Sequence, residues 1–139
     1  MLRCPVCVKK DMVVLELDRV EVDHCLACGG LWLDAGELEL LVDAPDKATA
    51  LATLFSDLSD TAGETARPCP ICGAKMVKQA TVSEPPLVID RCPAGHGAWF
   101  DDGELQTLFS CLKCGAENRV FSLLQDMFAA RIQTSIKGG

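Results

Sequence analysis

The chain is short of basic residues: 13 Lys and Arg stand against 20 Asp and Glu, and the formal net charge is −7. Because non-specific binding to a phosphate backbone depends on clustered Lys and Arg, this balance disfavours a nucleic-acid partner. The sequence also lacks an apolar run of membrane-spanning length, so we expect no membrane partner. Nothing before or around Cys4 resembles a secretory leader, which favours a cytoplasmic, reducing compartment.

The nine cysteines fit poorly with a fully paired disulfide framework, because their number is odd. At 139 residues the chain forms one ordinary domain or two small ones. Small units need stabilisation beyond that of their own apolar core. In a reducing compartment, Cys-x-x-Cys turns (called knuckles below) indicate metal binding. We therefore expect bound metal ions to supply this stabilisation.

One pattern occurs twice along the chain. Residues 25–38 and 92–105 each pass through glycines and a Trp to Asp-x-Gly-Glu-Leu, and Cys-Pro-x-Cys precedes each, at 4–7 and 69–72. A pattern that recurs with the same internal order indicates two related units. We predict a first unit, a helical linker, a second unit, and a last segment with an orphan knuckle and a helix. These segments are residues 1–42, 43–66, 67–110 and 111–139.

Each unit is predicted to contain a β-hairpin between its two knuckles. Residues 12–17 are rich in strand formers, Asp18-Arg19 can form the turn, and residues 20–23 alternate apolar and acidic side chains. The second hairpin, over residues 75–90, is two residues longer, and we place the extra length in its turn.

Helices are predicted after each unit's second knuckle and outside the units. Asp34 with Glu37 resembles a capping box that starts a short helix, and Asp101 with Glu104 repeats it. Apolar spacing predicts a linker helix over residues 45–58. An amphipathic C-terminal helix should follow, with its first turn capped by Asn118.

Two tetrahedral metal sites follow from the knuckle spacing. With four ligands each they have no open position, as in structural zinc sites, so we predict two Zn²⁺ ions per chain and no enzyme activity. Iron is the alternative metal for the first site, and the His argues against iron in the second. The alternatives to ligation are four buried reduced thiols at the first site and a surface histidine at His96. The predicted ligands are Cys4, Cys7, Cys25 and Cys28, and then Cys69, Cys72, Cys92 and His96.

Cys111 and Cys114 form a third knuckle without a partner. Three interpretations are open: half of a further zinc site completed by a second chain, a redox-active dithiol, or two idle thiols. We favour the shared zinc site, with the C-terminal helix forming the interface of a homodimer. Trp32 and Trp99 are interpreted as the core of each small unit rather than as platforms for stacking bases.

These motifs resemble the transcription-factor-IIB-type zinc fingers, a family of small prokaryotic zinc ribbons. The first unit matches at Cys4, Cys7, Asp23, Cys25, Cys28, Gly29, Gly30, Trp32, Asp34, Gly36, Glu37 and Leu38. The second matches at Cys69, Cys72, Asp90, Cys92, Trp99, Asp101, Gly103, Glu104 and Leu105. It departs from the family at the fourth ligand, where His96 replaces and shifts the Cys.

The resemblance implies a zinc-ribbon fold and zinc binding. The expected fold class is a small, metal-stabilised α+β protein with two tandem zinc-ribbon units, a linker helix and an amphipathic C-terminal helix. The expected function is a structural zinc protein that acts as an interaction module, with a protein or a second copy of the chain as its partner, and the family's name suggests a link to transcription. The alternatives are a nucleic-acid-binding zinc ribbon and a redox or metal-handling protein that uses Cys111 and Cys114.

Overall fold

The computed structural model describes residues 2–42, 45–57, 67–82, 86–112 and 118–126. Their elements in chain order are β1 (Val13–Leu17), β2 (Val20–His24), β3 (Leu31–Asp34), α1 (Glu37–Val42), α2 (Pro45–Leu54), β4 (Phe55–Asp57), β5 (Val77–Thr81), β6 (Val88–Arg91), β7 (Gly97–Phe100) and α3 (Glu104–Cys111). A further helix, α4, begins at residue 119 and is described through residue 126. The protein is thus a small α+β protein with an antiparallel sheet.

The first predicted hairpin forms from β1 and β2. Leu17 pairs with Val20, so only Asp18 and Arg19 lie in the turn. Both have positive φ, 47° and 77°, as the type I′ turn that suits a two-residue hairpin requires.

The second hairpin forms from β5 and β6 and has the longer turn that the sequence predicts. Its last cross-strand pair is Ala80 with Val88. The middle of this turn, residues 83–85, lies outside the described residues.

Each unit also has a third strand, β3 or β7, which the sequence pattern does not predict. The side chains of β3 are buried from Leu31 to Leu33, and all of β7 is buried. A strand buried on both faces has no alternation of apolar and polar residues, so its pattern gives no strand signal.

Pairing between β3 and β7 joins the two units in one sheet. The seven strands run in the order β1-β2-β3-β7-β6-β5-β4. Trp32 lies opposite Trp99 in the β3–β7 ladder, and these two residues hold the same place in the repeated motif. A pseudo-two-fold axis therefore passes between them. The predicted segment boundaries stay a prediction, because the sheet crosses from one unit to the other.

The two faces of the sheet bury different sets of side chains. The face that carries the helices packs an aliphatic and aromatic core, in which the rings of Phe109 of α3 and Phe121 of α4 lie 6.1 Å apart. The opposite face buries what we call the cysteine-side core, which contains both tryptophans and four of the seven cysteines of the two predicted metal sites. Its buried members are Cys4, Met12, Cys25, Trp32, Cys69, Met76, Cys92 and Trp99.

The predicted linker helix is right for its first part and wrong for its end. α2 covers Pro45–Leu54, but the chain then extends into β4, where Phe55 pairs with Thr81 on the edge strand β5. This strand pairing outweighs the apolar helical spacing, a weak local preference that tertiary contacts override. Leu58, which also belonged to the predicted helix, lies outside the described residues.

The predicted Asp caps of α1 and α3 are also wrong, although half of each capping box forms. Glu37 Oε1 accepts a hydrogen bond from the Asp34 backbone N–H at 2.7 Å, and Glu104 does the same for Asp101 at 2.7 Å. The position before α3 is Gly103, which makes no side-chain cap. The Asp side chains instead accept hydrogen bonds from the indole N–H groups of the two tryptophans.

Asn118 caps α4 as predicted and also fastens it to α1. Its Oδ1 accepts from the Phe121 N–H at 2.9 Å, and its Nδ2 donates to the carbonyl oxygens of Leu41 at 3.3 Å and Val42 at 2.9 Å. Within the described part of α4, Val120 and Leu124 of the expected apolar stripe are buried, but Leu123, which the stripe also includes, is 38% exposed. The rest of that stripe, beyond residue 126, lies outside the described residues. No helix among the described residues is long and apolar enough to cross a membrane.

Replacing Asn118 should separate these two roles. Asn118→Ala removes both, and we expect it to lower the free energy of unfolding by about 2 kcal/mol. Asn118→Asp keeps the cap on α4 but cannot donate to α1, so its loss should be about half as large. Urea denaturation of metal-loaded protein measures both values, and an Asn118→Ala variant as stable as the wild type would contradict this role.

Candidate metal centres

The first knuckle pair brings four sulfur atoms together beside the N-terminal end of β1. The Cys4 Sγ lies 3.7 Å from the Cys28 Sγ, and the Cys7 Sγ lies 3.8 Å from the Cys25 Sγ. All four ligand atoms lie within 4.8 Å of one another. The Cys7 backbone N–H also donates to the Cys4 Sγ at 3.2 Å, as in many thiolate metal sites.

These distances fit a tetrahedral zinc ion. A Zn–S bond of about 2.3 Å places neighbouring sulfurs about 3.8 Å apart at the tetrahedral angle. A disulfide would instead require about 2.05 Å. The described cysteines form no disulfide, so the four thiols are available as metal ligands.

The second cluster contains Cys69, Cys72, Cys92 and His96, again within 4.8 Å of one another. The Cys72 Sγ lies 3.7 Å from the Cys92 Sγ, which lies 3.4 Å from the His96 Nδ1. With Zn–N at about 2.0–2.1 Å, a tetrahedral site places sulfur and nitrogen about 3.6 Å apart. The extra residue before His96 therefore lets Nδ1 reach the position of a fourth ligand, and these residues also fit zinc.

Without a cation, neither cluster favours the ionised form of all its cysteines at once. Burial opposes ionisation of Cys92, but N–H groups of His96 and Ala94 outweigh it and lower the pKa to about 6. Burial opposes ionisation of Cys25 too, and backbone N–H donors lower its pKa to about 7. At Cys28, burial and the neighbouring thiols raise the pKa. A divalent ion would remove this conflict, because thiolates bind it in their ionised form.

The two clusters differ in exposure. In the first, two cysteines are buried and two are half-buried. In the second, Cys72 is exposed and His96 is half-buried. The second cluster is therefore the one that solvent and competing ligands reach more easily.

Trp32 and Trp99 are fully buried, at 0% exposure each, which confirms their predicted role in the core. The Trp32 Nε1 donates to the Asp34 Oδ1 at 2.9 Å, and the Trp99 Nε1 donates to the Asp101 Oδ1 at 3.0 Å. Each Asp thus satisfies an indole N–H that burial would otherwise leave without a partner. The repeated Trp-x-Asp pattern indicates this Trp–Asp hydrogen bond, but the same Asp residues also fit the predicted capping boxes.

His24 lies beside the first cluster without belonging to it. Its Nδ1 is 3.1 Å from the Gly30 carbonyl oxygen, which also accepts from the Cys25 N–H at 3.0 Å. His24 therefore contacts the backbone that positions a ligand.

Charge compensation is unequal in the two units. Asp90 is 2% exposed, and both Arg67 and Lys78 form ion pairs with it. Arg67 also contacts Asp101 at 2.8 Å. In the β1–β2 ladder of the first unit, the cross-strand partner of Asp23 is the uncharged Val14. In the β5–β6 ladder of the second unit, the equivalent Asp90 pairs with Lys78.

Each unit has carboxyl groups whose pKa is raised above the ordinary value. Burial raises the pKa of Asp23, and the nearby Asp34 and Glu21 raise it further. In the second unit, burial and then the negative Asp101 and Asp90 raise the pKa of Glu104 to about 7, despite opposing hydrogen bonding.

The third knuckle stays a prediction. Cys111 is the last residue of α3 and is half-buried, while Cys114 lies outside the described residues. Among the residues that the structure describes, Cys111 belongs to neither cluster of potential metal ligands.

Comparison with known proteins supports the class of the first unit. Residues 3–44 match a family model described as a transcription factor zinc-finger. This segment contains all four cysteines of the first cluster. The second unit has no such match, and its cluster is consistent with a second zinc-finger unit on geometry alone. No curated protein and no solved structure matches the chain.

Exchanging the residues opposite Asp90, which is buried, and Asp23, which is half-buried, tests the charge compensation. We expect Lys78→Val to lower the free energy of unfolding by about 2 kcal/mol, because it leaves Asp90 buried with one cation fewer. Val14→Lys should raise it by about 0.5 kcal/mol by placing an ammonium opposite Asp23. Val14→Gln is the uncharged control in the same denaturation series. A Lys78→Val variant with wild-type stability would count against the buried pair.

Glu104→Gln should stabilise the protein at pH 8 more than at pH 6. The folded-state pKa of Glu104, about 7, exceeds its ordinary value of 4.5. Stability from this group is therefore present at low pH and lost as pH rises through 7, and Gln avoids that loss while it keeps the Oε1 acceptor. After allowance for partial exposure we expect a difference of about 1 kcal/mol in urea denaturation.

The matched control for this pH dependence is Glu37→Gln at the equivalent place. Burial also raises the pKa of Glu37, but less strongly. Its effect should therefore change less between the two pH values. An equal effect of Glu104→Gln at pH 6 and pH 8 would contradict the assignment.

Proposed function

We propose that this protein is a structural zinc protein, with one ion in each cluster, whose rigid sheet presents an interaction surface to another protein. The observation that carries the proposal is that four side chains surround each candidate site. Tetrahedral zinc with four protein ligands has no open position for a substrate or an activated water. The ions therefore act on folding, and we propose no catalytic role.

Zinc is favoured over iron by the ligand chemistry. Seven cysteines and one histidine supply the two clusters, and a Cys₃His set is typical of structural zinc. The second site carries less negative charge than the first, since a neutral imidazole replaces one thiolate. In a reducing compartment such as the cytoplasm the thiols stay available for the metal.

A protein partner is favoured by the side chains around the first cluster. Leu26 and Val6 lie on its two knuckles and are 68% and 38% exposed, and Val8 beside them is also exposed. Apolar side chains held on a rigid loop suit a protein interface. The formal charge of −7 opposes a phosphate backbone. The description of the family that matches residues 3–44 extends the proposal to a partner in transcription.

Metal analysis tests the proposal. Native mass spectrometry of metal-replete protein should show two zinc ions per chain, and a strong chelator should abolish the folded circular-dichroism spectrum, because zinc binding supplies folding free energy of order 10 kcal/mol per ion. Cys111→Ser, which lies outside both clusters, is the matched control and should keep both ions. An unchanged spectrum after complete removal of zinc would refute a structural role.

A further inference from the structure

The two candidate zinc sites share one buried cluster. Two ligands from each site, Cys4 and Cys25 of the first and Cys69 and Cys92 of the second, belong to the cysteine-side core. The two tryptophans complete the contact between the sites within this core. Metal binding at one site therefore orders side chains that pack against the other.

Each tryptophan packs on a glycine of the opposite unit. A methyl group added at Gly30 would lie 2.0 Å from Cζ2 of Trp99, and one added at Gly97 would lie 2.8 Å from Cζ2 of Trp32. Gly30 and Gly97 hold the same place in the repeated motif, two residues before the Trp of their own unit. The contact is thus reciprocal, as the pseudo-two-fold axis requires.

Those two glycines also fix the ligand loops. The Gly30 carbonyl oxygen accepts from the Cys25 N–H at 3.0 Å, and the Gly97 carbonyl oxygen accepts from the Cys92 N–H at 3.0 Å. Both donors belong to predicted metal ligands. Each tryptophan therefore covers the backbone that positions a ligand of the other site.

A backbone hydrogen bond adds a further link between the units. The Ala35 N–H, just after β3, donates to the His96 carbonyl oxygen at 3.0 Å. The residue that supplies the fourth ligand of the second site is thereby held by the first unit. In addition, the neighbouring pair Asp34 and Gly97 lies in the β3–β7 ladder.

We propose that the two sites bind zinc cooperatively, coupled by the reciprocal packing of Trp32 on Gly97 and Trp99 on Gly30. The inference rests on the proposed structural zinc sites. Binding of the first ion orders one ligand loop and the tryptophan that lies on the other loop. The second ion then meets a site that is already ordered, so less conformational entropy is lost on its binding. Coupling of this kind acts equally in both directions.

Half-loading the wild-type protein gives the first test. With one equivalent of Zn²⁺ per chain, native mass spectrometry should show mainly metal-free and two-zinc chains. Independent sites would leave about half of the chains or more with a single ion. That distribution would overturn cooperativity while leaving the structural sites intact. Failure to bind zinc at all would overturn the proposed function and this inference together.

Removing one site gives the second test. Cys72→Ser with His96→Ala removes the two more accessible ligands of the second site, and Cys7→Ser with Cys28→Ser removes the two half-buried ligands of the first. Competition with a chromophoric chelator then measures the zinc affinity of the site that remains. We expect the remaining site of each variant to bind zinc about 10-fold more weakly, or weaker still, than the same site in the wild-type protein. The factor should be the same for both sites. Unchanged affinities would overturn the inference.

Gly30→Ala tests the route of the coupling, because it keeps all eight ligands and displaces Trp99. We expect the share of one-zinc chains at half loading to rise toward that of independent sites. Gly36→Ala is the matched control: it also adds a methyl group, at a positive φ of 88°, but nothing lies within 4 Å of that group. It should destabilise the protein through backbone strain and leave the cooperative distribution intact. The same effect from both variants would overturn the tryptophan route.

Discussion

The pairing of β3 with β7, with Trp32 opposite Trp99, is the constraint on which the rest of the structure depends. Neither unit alone is large enough to bury a core on both faces of a three-stranded sheet. Pairing of β3 with β7 lets each unit cover an edge strand of the other, and it places both candidate metal sites on one face and the helices on the other. The two units thus form one continuous antiparallel sheet.

The near-symmetry of this sheet makes the differences between the units informative. The second unit pairs its buried Asp90 with Arg67 and Lys78, extends its sheet with β4, and offers a more accessible cluster that includes His96. The first unit has four sulfur ligands and exposed apolar side chains on its knuckles. The second unit also has an exposed apolar side chain on its knuckle, Ile71 at 46%, so the units differ in charge compensation and ligands more than in knuckle exposure.

Local features of this structure were predictable from the sequence, and features that depend on distant residues were not. The Asp18-Arg19 turn and the Asn118 cap each follow from the identity of a few neighbouring residues. The grouping of His96 with three cysteines joins distant residues, and it was predictable because the ligand spacing of the first unit is repeated in the second. The pairing of β3 with β7 and the strand end of the linker depend on partners more than 20 residues away. The Asp residues of Trp-x-Asp were misread because the repeated acidic pattern fits a capping box equally well, and only burial of the indole decides which bond forms.

X-ray absorption at the zinc edge of metal-replete protein tests the central claim most directly, since it reports the atoms bound to the metal without depending on the fold. The account predicts four-coordinate zinc in a shell dominated by sulfur at about 2.3 Å, with a minor nitrogen component at about 2.0 Å. The ratio should be seven sulfurs to one nitrogen over the two sites. His96→Cys should remove the nitrogen component. A shell rich in oxygen or nitrogen, or a coordination number above four, would contradict two closed structural zinc sites.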